Sequence, residues 1–214
     1  FTQCSDLTSF SIETGSALEI IDDWAFEETG LTSFALPKSV SIIGEGSFIR
    51  CSDLTSFSIE AGSALETIDG HAFRESGLTS FALPKSVLSI GYSAFSGCSA
   101  LALVISERPS ALATVGGWAF SGAGSSVSGG MTVVIQSSKQ SLVTGSSNSP
   151  ASATVTDEYC AITPDGSGAV VIPNTWTRVK NSAFVNCAAI RSVTFETPVQ
   201  IIDIEAYAFC QSDI

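Results

Sequence analysis

Basic side chains are scarce: nine Lys and Arg stand against 21 Asp and Glu in 214 residues, a net charge of −12. That balance repels phosphate backbones and anionic lipid headgroups, which argues against nucleic acid as a partner. Histidine is scarcer still, His71 being the single example. A nucleophile needs a base beside it, and a lone imidazole in a repeat turn with no orienting motif around it does not supply one. Nor does a zinc site fit, because no Cys-x-x-Cys accompanies that histidine. No apolar run approaches the roughly 20 residues that cross a bilayer, and no basic, apolar, small-residue leader opens the chain. The glycines around 122–130 lie among serines, without the Lys-Ser/Thr of a phosphate loop. No Asn has Ser or Thr two positions on: Asn148, Asn174, Asn181 and Asn186 are followed there by Pro150, Trp176, Ala183 and Ala188, which leans away from an exposed eukaryotic glycoprotein. These absences read as a non-enzyme with no cofactor and no metal.

What is present is repetition. LTSFALPKSV occurs at 31–40 and again, letter for letter, at 78–87. Phenylalanines preceded by a small residue recur at Phe26, Phe48, Phe73, Phe95 and Phe120, alternately 22 and 25 apart, with Phe1 in phase with them. The period is therefore a pair of coils, 22 + 25 = 47 residues, which is the signature of a solenoid. The spacing resumes at Phe184 and Phe209, and Pro173 precedes Phe184 by the same 11 positions as Pro37 precedes Phe48. Segments 7–12, 31–36, 54–59, 78–83 and 190–195 share the form apolar-x-x-apolar-x-apolar. Each predicts a short strand with its first, fourth and sixth side chains inward, followed by a turn at Pro-Lys-Ser or Gly-Ser. Stacked coils pair strands about 4.8 Å apart, so each coil is stabilised only by its neighbours. Both ends fall inside a repeat, so the chain reads as a piece of something longer. The isolated 1–214 segment is expected to need flanking sequence or a partner.

The stretches IDDWAFEETGLTSFALPKSVSIIGEGSFIRC and IDGHAFRESGLTSFALPKSVLSIGYSAFSGC resemble the BspA-type leucine-rich repeats, with their Ile-Gly-x-x-Ala-Phe-x-x-Cys turn and Leu-x-x-Val-x-Ile-Pro strand. The resemblance covers residues 1–120 and 166–210. It implies a solenoid horseshoe or arc, with a parallel β-sheet on one face and short irregular or helical turns on the other. It also implies a surface, adhesive or interaction protein. Asp22, Asp23 and Asp69 depart from the family's preference for Gly. The reading divides the chain into coils at 1–120, a Ser/Gly/Thr-rich insertion or degenerate coil at 121–158, and further coils at 159–214. MTVVI (131–135) reads as a strand, and the rest of that block as a flexible excursion or a contact loop.

Cys4, Cys51, Cys98 and Cys187 each follow an anchor phenylalanine by three residues, where alternate coils carry Thr29 and Ser76. Thiols two coils apart are separated by about 10 Å, beyond the ~7 Å reach of a disulfide, so the four form a buried ladder of small side chains. Cys160 and Cys210 stand outside it and are the candidates for any bridge. His71 occupies the place of Trp24 and Trp118 and reads as a turn residue. The acids Asp22, Asp23, Glu27 and Glu28 read as a solvated face, with weak divalent binding as the alternative.

Binding is expected on the strand positions that point outward: Thr8, Thr32, Thr55 and Thr79, flanked by Ser and Ala. The row is flat and lacks the Arg, Tyr and Trp of protein hot spots. It reads either as a self-solvating cross-strand ladder or as a docking surface for something equally flat. In the next coil Ala102, Leu103 and Ile105 fall on the same face as an apolar patch, although a one-residue slip would turn Leu101, Leu103 and Ile105 inward. The sequence thus points to a recognition or adhesion module binding a protein or glycan, extracellular or at a cell surface. The rival is a structural subunit of a larger complex, for instance in an organellar lumen. A remote third reading is an ice-binding Thr/Ser face.

Overall fold

In a computed structural model the described residues are 1–107, 109–135, 137–144, 154–156, 169–172, 178–179, 192–195, 197 and 203–204. The chain forms two compact units, Phe1–Val155 and Thr156–Ile214. Strands alternate between long and short: β1 (Ile20–Ile21), β2 (Ser33–Leu36), β3 (Ile42–Ile43), β4 (Ser56–Ile59), β5 (Thr67–Ile68), β6 (Ser80–Leu83), β7 (Ser89–Ile90), β8 (Leu103–Ser106), β9 (Thr114–Val115) and β10 (Thr132–Val134). A 3-10 turn at Ser137–Lys139, helix α1 (Gln140–Thr144) and β11 (Thr154–Thr156) follow. The short strands of the first unit stack in parallel in the order β1-β3-β5-β7-β9. The long ones pair β2 with β4 and, in a second ladder, β6-β8-β10-β11. This is the parallel β-solenoid that the 47-residue period predicts.

In the second unit β12 (Ala169–Ile172) pairs in parallel with β14 (Ser192–Phe195), and β13 (Arg178–Val179) with β15 (Asp203–Ile204). Phe184, Phe209, Pro173, Cys160, Cys187 and Cys210 lie outside the described residues.

Inside the coils the first, fourth and sixth positions point inward in Leu31, Phe34 and Leu36 and in Leu78, Phe81 and Leu83, whereas the strand expected at 7–12 does not form and its Leu7, Phe10 and Ile12 are half-buried against the core. The short strands contribute Ile21, Ile43, Ile68 and Ile90. Two phenylalanine columns fill the interior. Phe26, Phe48, Phe73, Phe95 and Phe120 stack with ring centroids 5.2–5.4 Å apart, while Phe34, Phe57 and Phe81 stack at 5.5 and 5.6 Å. Edge-to-face contacts of 4.9–5.3 Å lock one column to the other. Such pairs add about 0.5–1.5 kcal/mol each beyond simple burial.

The two kinds of turn have local causes. In Pro-Lys-Ser, the hydroxyls of Ser39 and Ser86 donate to two carbonyls of the preceding coil, Ser16 and Leu18 for the first and Ser63 and Leu65 for the second. In the Gly-Ser turn, the hydroxyls of Ser16 and Ser63 accept the N–H two residues on. The glycine that opens each 22-residue coil is steric in origin. A β-carbon at Gly30 or Gly77 would overlap the carbonyl of Ser5 or Ser52 below it.

The third side of each coil is a turn around the anchor phenylalanine, which makes a ridge along the solenoid. Residues two before and two after the anchor have positive φ throughout: Trp24 and Glu28, Gly46 and Arg50, His71 and Glu75, Ser93 and Gly97, Trp118 and Gly122. Alternating right- and left-handed residues aim alternate amides along the axis. Trp24, Phe26 and Glu28 accordingly donate to Glu45, Ser47 and Ile49 of the next coil, and His71, Phe73 and Glu75 to Tyr92, Ala94 and Ser96. In the sheets the donation runs the other way, as from Gly91 back to Ile68.

Ser47 occupies the ridge position that is alanine at Ala25, Ala72, Ala94 and Ala119. Its hydroxyl is the one buried side-chain polar atom among the described residues without a partner. Ser47→Ala removes that unmet desolvation cost, so urea unfolding should show a gain of about 1 kcal/mol. A loss instead would mean that the hydroxyl has a partner in solution.

Candidate functional site

The outward positions of the long strands form an open face. Thr8, Thr32, Thr55 and Thr79 are exposed, as are Ser33, Ser56 and Ser80. Their backbones are tied rung to rung, Thr32 N–H to Thr8 O, Thr55 N–H to Thr32 O and Thr79 N–H to Thr55 O. The hydroxyls of Thr55 and Thr79 also turn back onto the backbone, donating to the carbonyls of Thr32 and Thr55 at 3.4 and 3.2 Å. Part of the face's donor capacity is therefore used internally. The surface it offers is flat, uncharged and held rigid by the sheet.

The apolar stretch in β8 lies differently from the expected open patch. Its register sets Leu103 against Ser80 and Ile105 against Ala82, so both belong to the outward face. Ile105 is nevertheless only 3% exposed, and Val134, its partner on β10, is 0% exposed. Ala102 and Leu103 are half-buried. Neither Ile105 nor Val134 belongs to the interior cluster that contains Val104 and Val133. The expectation of an open apolar patch at 102–105 is thus corrected at Ile105, which faces outward and is covered, while Ala102 and Leu103 are half-buried. The open face is the stretch across β2, β4 and β6.

Two of the four ladder cysteines are fully buried, Cys51 and Cys98. Each thiol donates to the carbonyl of the anchor phenylalanine one coil earlier, Phe26 or Phe73, at 3.0 Å. Each also meets the hydroxyl that fills the alternate rung, Thr29 at 3.3 Å and Ser76 at 3.4 Å. The column is thus mixed, thiol over hydroxyl, and Cys4, Cys51 and Cys98 are all free. Cys4, in the first coil of the sequence, is exposed. Burial pushes the Cys51 thiol up and that of Cys98 up to about 11.

Two outcomes follow. At pH 8 iodoacetamide should leave Cys51 and Cys98 unlabelled until denaturant is added, as read by peptide mass mapping. A thiol whose folded value is raised keeps its proton more tightly when folded. Its contribution to stability is therefore full below the ordinary value near 9 and falls as pH rises towards about 11.

His71 lies on the ridge, its Nδ1 3.7 Å from Glu45 Oε1 and its ring 5.5 Å from that of Tyr92. Among the described residues no three His, Cys, Asp or Glu side chains converge as a metal site, and no helix is long and apolar enough to cross a membrane. The strained ridge positions Trp24, His71 and Trp118 were legible only as turn residues. Their signal is the interchange of Gly46 and Ser93 with large aromatics in one column of the repeat.

The pattern of the BspA type leucine rich repeat region matches in six copies over residues 1–102, 66–141 and 158–214. The chain belongs to the BspA-type leucine-rich repeat family. The matched stretches reach through β10 to the start of α1, beyond the regular coils, and resume in the second unit. No curated protein matches the chain. Among solved structures, the pneumococcal vaccine antigen PcpA is 22% identical over 93% of this chain and 42% of its own, with a TM-score of 0.47. A leucine-rich repeat protein from Bacteroides ovatus is 16% identical over 99% of this chain and 72% of its own, TM-score 0.30. A leucine rich cell surface protein from Faecalibacterium prausnitzii is 20% identical over 88% of this chain and 64% of its own, TM-score 0.31. The chain thus spans less than half the length of the pneumococcal antigen.

Proposed function

We infer that this chain is a non-catalytic protein-interaction or adhesion module, extracellular or at a cell surface, which binds a protein or glycan partner through the open sheet face. The observation that carries this reading is the exposed row Thr8, Thr32, Thr55 and Thr79, the last three each directly preceding a long strand and all four tied coil to coil by backbone hydrogen bonds. A rigid, continuous face loses little conformational freedom on binding, so weak contacts repeated along it add up. Membership of a repeat family agrees with a role in recognition.

The internally bonded hydroxyls of Thr55 and Thr79 favour a second reading. A face that already bonds part of its donors internally and carries no large side chains also suits permanent packing against another flat subunit of a larger assembly.

Substituting Thr32, Thr55 and Thr79 together by Lys tests both. In the full-length protein, purified under native conditions and washed at high salt, the variant should lose the bound partner with its melting temperature unchanged. A fixed set of subunits retained by the wild type and lost by the variant selects the assembly reading. Retention of every partner by the variant removes the sheet face from either. Thermal hysteresis in the purified protein would instead select an ice-binding face.

A further inference from the structure

The ridge carries a second surface that shares no residue with the sheet face. Its left-handed position takes glycine at Gly46 and yet holds Trp24, His71 and Trp118 in other turns. Glycine meets the backbone requirement there without strain, so retention of large aromatics at such positions calls for a reason outside the local backbone. Trp24 is 39% exposed and Trp118 52% exposed, and Tyr92, one position earlier in its turn, is 53% exposed. The indole of Trp24 lies across Gly46, where a β-carbon would overlap its ring. From there the groups are contiguous. Asp23 Oδ1 accepts the Glu45 N–H at 2.7 Å, Glu45 Oε1 lies 3.7 Å from His71 Nδ1, and the His71 ring meets Tyr92 edge-on at 5.5 Å.

Charge along this ridge is graded. The turns at 22–28, 44–50 and 69–75 contain Asp22, Asp23, Glu27, Glu28, Glu45, Asp69 and Glu75 against Arg50 and Arg74. Arg50 is held by Glu28 and Glu75, and Arg74 by Glu75. Asp22, Asp23, Glu27, Glu45 and Asp69 have no Arg or Lys partner among the described residues. The turns at 91–97 and 116–122, which hold Tyr92 and Trp118, contain no charged residue at all.

We propose that this ridge binds an extended, cationic polypeptide segment, with Lys and Arg over the first three turns and apolar side chains over Tyr92 and Trp118. Ammonium and guanidinium groups pair with the carboxylates of the first three turns and are attracted to the ring of Trp24, while apolar side chains pack on Tyr92 and Trp118 in the uncharged turns. A neutral glycan would stack on the rings and leave the run of carboxylates unexplained. Coils stacked about 4.8 Å apart put Trp24 and Trp118 about 19 Å from each other, a distance that roughly six extended residues span.

The test uses a synthetic octapeptide with five Arg or Lys followed by Leu-Phe-Leu, titrated into the full chain by calorimetry. Saturable binding is expected, weakened about tenfold between about 0.05 and 0.5 M salt. Trp24→Gly with Trp118→Gly should weaken it at least tenfold without lowering the melting temperature, since both positions already have glycine's backbone conformation. Asp23→Asn with Glu45→Gln, which keeps the rings, should weaken it severalfold and flatten the salt dependence. The Thr→Lys sheet-face variant should bind as the wild type does, which separates this surface from the other. Absence of binding, or equal binding by the double glycine variant, overturns the proposal. So does salt-insensitive binding of a neutral hexasaccharide in place of the peptide.

Discussion

Phe73→Ala should cost about 3–5 kcal/mol, the range for deleting a large buried aromatic. The ring stacks at 5.3 Å on both Phe48 and Phe95 and meets Phe57 and Phe81 edge-on. Removing it therefore leaves a cavity in its own column and takes away the edge contacts that support the other. Because a solenoid is held by nearest-neighbour interfaces, the loss falls at one junction. Urea unfolding followed by circular dichroism should change from one transition to two, as coils on either side of the gap lose their coupling. A single transition displaced by less than about 1 kcal/mol would mean that the columns repack around the cavity.

Gly91→Ala should be nearly as damaging for the opposite reason. Its φ is not in the left-handed region, so strain in the backbone dihedral is not the issue. An added β-carbon would lie 2.5 Å from the carbonyl carbon and 2.9 Å from the oxygen of Asp69, both backbone atoms of the coil below. Backbone held in a hydrogen-bonded ladder cannot swing aside as a side-chain tip does, so the coil spacing itself must open. A cost of about 3 kcal/mol is expected, the upper part of the range for overpacking. Gly62→Ala is the control. Gly62 has φ +75 but nothing within 4 Å of the added carbon, so it should lose only the ~1–2 kcal/mol of a left-handed residue. A loss at Gly91 no larger than that at Gly62 would show that the coils open to admit a β-carbon at little cost.

The contrast between these glycines shows what the sequence makes legible. The inward pattern of Leu31, Phe34 and Leu36 is visible in the letters because burial imposes a period on apolar residues. The phenylalanine columns follow from the same spacing, and with them the parallel solenoid. The ridge ladder leaves no such trace. Backbone amides carry no side-chain signature, and the polar and small residues at 22–28 or 91–97 look like ordinary turns. Ile105 fails for another reason: strand alternation sets the direction of a side chain, whereas its cover comes from outside the strand. Where the structure departs from the periodic reading, the cause lies between coils or at their edge.

The opposed direction of hydrogen bonding on ridge and sheets has an electrostatic consequence for the solenoid as a whole. In an α-helix every peptide dipole points the same way, and the ends become partial charges that need capping. Here the amides of Trp24, Phe26 and Glu28 point towards later coils while that of Gly91 points back, so the axial components partly cancel within each layer. Adding or deleting a 47-residue pair leaves the poles of the structure nearly unchanged. The field along its length is then set by side chains alone, free to run from acidic at Asp22 to uncharged at Trp118. Copy number and surface charge can therefore vary independently of one another.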